Sequence, residues 1–239
     1  MAIASSSLAY RRSALMTATK VTVKPPSPEV LRARDDFKDF CVYMGKPPAN
    51  HMLEWHNELC TGEDSEVLMG VGGPNTAILA PRGSAKSTVL GLFAAWMIGR
   101  HAAAKKMLRI LYIAYMVDIS RAKSATIKGI LTSNKYREIF PMVRLSKIKR
   151  SDEYWSIDYE FAGIDTAGEE AFTIACGGLK GAITSKRSQL VLIDDPIKSA
   201  ASINNPDIRR EMEQTWSNVI APTMFQGARA ICLGTRFHF

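Results

Sequence analysis

The sequence predicts an α/β fold, with an open, mostly parallel sheet covered by helices on both faces. Three observations predict it. Short apolar runs alternate with helix-period segments from residue 76 onward. Two of the runs, Gln189 to Ile193 and Arg229 to Leu233, read as buried strands of the parallel type. The 239 residues are 46% hydrophobic and 8% aromatic, enough for one sizeable core.

The elements follow in order. Residues 1–28 carry Arg11, Arg12, Lys20 and Lys24 among Ser, Ala and Thr, with no acid before Glu29, and close on Lys24-Pro-Pro-Ser-Pro28. This composition cannot pack a core and predicts a flexible basic arm. A nucleic-acid contact and an organellar address stay open for it. From residue 29, Val30, Leu31, Phe37, Phe40, Cys41 and Met44 recur at helical spacing until Gly45-Lys-Pro-Pro48. A second helix runs from His51 to about Cys60. After the turn-rich Gly70 to Asn75, Thr76 to Ala80 is a short strand and Ser84 to Arg100 a helix. Leu108 to Ala114 is the next strand. Asp118 to about Ser133 is a helix capped by its own aspartate. Tyr154 to Phe161 and Ala171 to Ala175 alternate as paired strands do, and Asp207 to Val219 reads as a helix. Residues 29–239 are expected to form one domain.

Composition excludes several classes. No apolar run approaches the roughly 18 to 20 residues of a membrane span. Cys41, Cys60, Cys176 and Cys232 are scattered without a C-x-x-C pair, so reduced thiols are expected rather than a disulfide scaffold or zinc ribbon. The 31 Lys and Arg against 23 Asp and Glu leave a net charge of +8, which points toward a polyanionic partner.

Three segments carry chemistry. Ala80-Pro-Arg-Gly-Ser-Ala-Lys-Ser87 lies between a strand and a helix, the setting of a phosphate-binding loop. There Arg82, Gly83, Ser84, Ala85, Lys86, Ser87 and Thr88 would surround phosphates, Lys86 reaching the terminal ones and Ser87 a Mg²⁺ ion. Ala80 and Ala85 stand where the usual pattern has glycines, so a chance turn before a helix is the competing reading. Second, Leu190-Val-Leu-Ile-Asp-Asp195 is an apolar strand ending in two carboxylates. Buried acids need a partner. Mg²⁺ at Asp194 and an attacking water at Asp195 supply one, and helix capping is the alternative. Third, Leu233-Gly-Thr-Arg-Phe-His238 follows the last strand. In an additional-strand (ASCE) P-loop NTPase, a polar residue such as Thr235 at this strand tip faces the γ-phosphate; Arg236 there is read either as functional or as plain surface.

Together these segments resemble the ATPase domain of tailed-bacteriophage large terminase subunits, the DNA-packaging motors. The matching pieces are Arg82-Gly-Ser-Ala-Lys86, Leu-Ile-Asp-Asp-Pro-Ile197, Gly-Thr-Arg-Phe-His238, Gly181-Ala-Ile-Thr-Ser-Lys-Arg187, Trp216, and Pro48-Ala-Asn-His51. The likeness spans about Phe37 to Phe239. It implies a RecA-like ASCE fold, ATP and Mg²⁺ as cofactors, and catalytic roles for Arg82, Lys86, Asp195 and Thr235. It further implies Ser87 and Asp194 at the metal, and His51 beside the adenine. As partners it implies sequence-independent double-stranded DNA, a homo-oligomeric ring on a portal and a small terminase subunit, in the host cytoplasm and without a membrane. Large terminases continue into an RNase H-like nuclease domain, which has no counterpart in these residues. Ala85 replaces a glycine, and Asp195 is one methylene shorter than the Glu often found as the catalytic acid. Two basic clusters on expected loops are candidates for DNA: Arg144, Lys147, Lys149 and Arg150, and Lys180, Lys186 and Arg187. The rival readings are a helicase-like remodelling ATPase and a non-hydrolysing nucleotide- or DNA-binding assembly factor.

Overall fold

The computed structural model describes residues 25–60, 73–179 and 186–236. The arm before residue 25, residues 61–72, Lys180 with residues 181–185, and the Phe237, His238 and Phe239 terminus lie outside them. Seven strands form one sheet: β1 (Thr76–Ala80), β2 (Ile110–Ala114), β3 (Leu145–Arg150), β4 (Tyr154–Ile157), β5 (Ile174–Gly178), β6 (Ser188–Asp194) and β7 (Met224–Thr235). Their order is β1-β7-β6-β2-β5-β4-β3. The first five are mutually parallel, and β4 and β3 close the far edge as antiparallel strands. The last strand in sequence therefore lies between β1 and β6.

Helices α1 (Pro28–Asp35), α2 (Phe37–Tyr43), α3 (Asn50–Cys60), α4 (Lys86–Ala103), α5 (Val117–Thr132) and α6 (Asn134–Ile139) precede β3. The single helix expected from residue 29 is two helices. Asp36 takes an extended conformation, and its carboxylate caps α2 by accepting from the Asp39 amide at 2.7 Å. Helix α5 starts one residue earlier than expected and is not capped by Asp118. Asp118 instead pairs with Arg121 at 2.9 Å in the first turn. The short helix α6 and strand β3 had no sequence-level counterpart. α7 (Ala200–Asn204) and α8 (Pro206–Thr215) follow β6, and α8 gives way at Trp216 to a π-helical turn through Ile220.

Strand alternation sends side chains to two faces. Ile110, Tyr112, Leu190, Leu192, Ile231 and Leu233 join the larger core, where Phe93 and Trp96 of α4 meet Phe37, and Phe40 meets Phe140. Each such side chain contributes about 1.5–3 kcal/mol on burial. Leu111, Ile113, Val191 and Ile193 face the smaller core, which Trp216, Val219 and Ile220 cover. Helical cover is thus unequal. The helices of the first half lie on one face, the π-turn covers the other, and α8 buries no residue.

Arg229 on β7 ties the two ends of this frame together. It is fully buried and donates to Glu58 O and Leu59 O at the end of α3, to Pro74 O, and to Thr76 Oγ1 on β1, at 2.7–2.9 Å. The four cysteines are free, and burial pushes the thiols of Cys176 and Cys232 up to about 11 and that of Cys41 up to about 12. Among the described residues, no helix is long and apolar enough to cross a membrane.

Candidate nucleotide site at the carboxyl ends of the strands

Strands β1, β7 and β6 end side by side, and their carboxyl ends carry the residues singled out in the sequence. Open α/β sheets bind ligands at this edge. A cleft of about 390 Å³ opens there, walled by Arg82, Gly83, Ala85, Lys86, Ser87 and Thr88 from the loop after β1. Asp195, Ile197 and Lys198 beyond β6, Thr235 at the tip of β7, and Tyr115 and Ile119 beyond β2 complete it.

The loop is shaped by two residues in the left-handed region, Gly83 (φ 79°) and Ala85 (φ 60°). Ala85 thus holds the conformation a glycine adopts freely, at a backbone cost of about 1–2 kcal/mol. Ser84 folds inward, its hydroxyl donating to Pro81 O at 2.7 Å, and does not wall the cleft. Ala85 is also the N-cap of α4 and offers no side-chain acceptor. The Thr88 and Val89 amides donate to Ala85 O at 3.0 Å, and those of Lys86 and Ser87 are left for another acceptor at the positive end of the helix dipole.

Lys86 is buried, donating to Pro81 O at 3.0 Å and Ala80 O at 3.4 Å, with Asp195 Oδ1 at 3.9 Å. The Ser87 hydroxyl donates to Asp194 Oδ1 at 2.9 Å, joining the loop to the end of β6. The Thr235 hydroxyl donates to Asp195 Oδ1 at 2.6 Å, joining β7 to the same acidic pair. Asp195 itself is in the left-handed region at φ 45°, which Asp tolerates better than most residues. Burial raises the pKa of Asp194, and the hydrogen bonds from Ser87 and Tyr112 and the charge of Lys123 oppose that rise.

Arg82 walls the cleft, its guanidinium 3.5 Å from Lys198 O. Arg236 donates its amide to Ala80 O at 3.1 Å. His51 stands apart: it is exposed on the first turn of α3, edge-on to Trp55 at 5.4 Å, and does not wall the cleft. Besides Tyr115 and Ile119 of the cleft wall, two residues missed in the sequence bear on the site. Tyr112 of β2 is fully buried and donates to Asp194 Oδ2 at 3.1 Å; a tyrosine inside an apolar strand was the available signal, because its hydroxyl must find a partner. Lys198 carried no signal beyond its place after the acidic pair.

The donor set fits Mg²⁺. Ser87 Oγ and Asp194 Oδ1 are hard oxygens 2.9 Å apart beside an uncapped helix start. Mg²⁺ typically takes one or two protein oxygens and completes its shell with phosphate and water.

No family model matches the chain, and no curated protein matches it. Among solved structures it is similar to the large terminase ATPase domain of Thermus phage P74-26, in a point-variant form. The identity is 14% and the TM-score 0.46, over 82% of this chain and 68% of that one. A likeness this distant carries no functional argument.

Proposed function

We propose that this chain is the ATPase domain of a bacteriophage large terminase subunit, hydrolysing Mg-ATP to drive double-stranded DNA into a procapsid. The observation that carries the nucleotide part is the pair of hydroxyl–carboxylate bonds, Ser87 to Asp194 and Thr235 to Asp195. They gather the phosphate loop, the acidic strand end and the interposed strand tip into one cleft, as an ASCE-type P-loop site requires. The terminase part is supported by the order of the sequence motifs.

In this reading, the Lys86 side chain and the amides of Lys86 and Ser87 bind the terminal phosphates, and Arg82 neutralises charge that grows on the γ-phosphate in the transition state. Ser87 and Asp194 would hold Mg²⁺, which would supply positive charge to neutralise the phosphate oxygens. Asp195 orients the attacking water and takes its proton as the water oxygen bonds to the γ-phosphorus and the bond to the β-phosphate oxygen breaks. Thr235, bonded to Asp195, senses whether that water and phosphate are in place.

Paired nucleotide-binding and phosphate-release measurements test these roles. Lys86→Ala should lose both binding and turnover. Asp195→Asn should retain ATP binding while turnover drops about 10²–10⁴-fold. Loss of binding in Asp195→Asn would sink its assignment as the water-activating acid. Wild-type protein that binds ATP tightly with no turnover, alone or with DNA, would favour the assembly-factor reading.

A further inference from the structure

We propose that the bulged edge strand β3, with Arg144 just before it, is the surface by which this chain holds the phosphates of double-stranded DNA; the proposal rests on the motor reading above. β3 is the outermost strand of the sheet. Its ladder partners are Leu145 with Ile157 and Arg150 with Trp155, so five steps along β3 match two along β4. The surplus is extruded as a bulge between Leu145 and Arg150.

The bulge is a firm protrusion. Ser146 Oγ accepts from the Ile148 amide at 3.2 Å, and Ser146 O accepts from Arg150 Nε at 2.9 Å. Lys128 on α5 donates to Arg150 O, Ser151 O and Asp152 Oδ1, each at 2.8 Å, fixing the turn into β4. At the tip Lys147 is exposed and Ile148 is 91% exposed.

Its charge is unbalanced. Residues 142–151 contain four cations and no acid. The acids of the following turn are already matched, Asp152 to Lys128 and Glu153 to Arg121. Lys149 turns back to Ala171 O at 2.7 Å and lies 5.5 Å from the Tyr154 ring centroid, so it leaves the outward set. Arg144 is exposed, with its guanidinium held 3.6 Å over the Phe161 ring. Arg144, Lys147 and Arg150 remain, with Ile148 among them. Fixed cations with no base-reading partner bind phosphates without regard to sequence, and Ile148 offers carbon surface to the sugars between them.

The second basic cluster is differently placed. Lys186 pairs with Glu170 and lies 4.7 Å from the Tyr154 ring, and Arg187 lies 5.8 Å from that of Phe225. The protrusion also connects to the cleft. Tyr115 and Ile119, which wall the cleft, flank the start of α5, and the same helix grips the β3–β4 turn through Arg121 and Lys128. Edge lysines have another use, blocking strand pairing between molecules, and the test separates the two.

The test is fluorescence anisotropy of a short labelled duplex with the full chain, without nucleotide, over a range of NaCl. The triple variant Arg144→Gln, Lys147→Gln, Arg150→Gln is compared with Lys186→Gln, Arg187→Gln. Losing three phosphate contacts should flatten the log–log salt slope by about 2.7 and weaken binding about a hundredfold at roughly 0.15 M salt, equally for unrelated sequences. The second variant should bind as wild type does, and basal ATP turnover of the triple variant should be unchanged. A triple variant with wild-type affinity and slope overturns the proposal and leaves the motor reading standing. Wild-type protein that hydrolyses ATP but binds no duplex at low salt overturns the motor reading itself. If Ile148→Ser changes the sedimentation of the protein while the triple variant keeps its DNA affinity, the edge is a contact between copies and the proposal fails.

Discussion

The substitution Tyr112→Phe probes the acidic end of β6 from outside the cleft wall. The change keeps the ring and removes one of the two side-chain hydroxyl donors on the Asp194 carboxylate, leaving Ser87. Asp194 is only 2% exposed, so water cannot readily replace the lost donor. A hydrogen bond to a buried charge is worth about 1.5–3 kcal/mol, against about 1 kcal/mol for a neutral one. The deficit should therefore depend on pH. Burial sets the folded pKa of Asp194 above its ordinary 3.8. Between these two values the folded state holds a proton that the unfolded state has lost, so the stability owed to this group falls as pH rises and levels off above the folded pKa. Removing the tyrosine hydroxyl raises the folded pKa further. The variant should lack about 1.5–3 kcal/mol at pH 8, narrowing to about 1 kcal/mol or less as pH approaches 4. Urea unfolding of metal-free wild type and variant across that range measures it. A deficit that is the same at both ends, or below about 0.5 kcal/mol at pH 8, would refute the reasoning.

Two further substitutions test the frame around the cleft. Ala85→Gly removes the left-handed strain of about 1–2 kcal/mol and adds unfolded-state freedom of about 0.4–1 kcal/mol, so urea unfolding should show a neutral or slightly stabilised protein. A loss above about 1 kcal/mol would contradict the loop geometry. Arg229→Met abandons the carbonyls of Glu58, Leu59 and Pro74 in the interior and should cost about 3 kcal/mol or more. A loss below about 1 kcal/mol would mean that the buried guanidinium does not hold α3 to the sheet.

The parts most legible in the sequence are those in which local pattern and tertiary role coincide. β1, its loop and α4 are contiguous, and the buried β6 is an apolar run with its acids at the end, so each could be placed from a few residues. What the sequence hides depends on partners far along the chain. Tyr112 reads as one more apolar strand residue until β2 lies beside β6 and brings its hydroxyl to Asp194. Arg229 looks like the polar start of an apolar strand, whereas it is a buried tie between α3 and β1. β3 is concealed by its own bulge, because the extruded residues break the period-two alternation that marks a strand. Its cations therefore read as a loop, and nothing in their order tells that Lys149 turns inward. The break at Asp36 is a capping choice that outweighs the helical period on either side of it.

Steady-state phosphate release from Mg-ATP, with and without duplex DNA and beside Lys86→Ala, tests the central claim most directly. The account predicts turnover that requires Mg²⁺, vanishes in Lys86→Ala and is stimulated by DNA of any sequence. Turnover that survives Lys86→Ala, or protein that neither binds nor hydrolyses ATP, would contradict it.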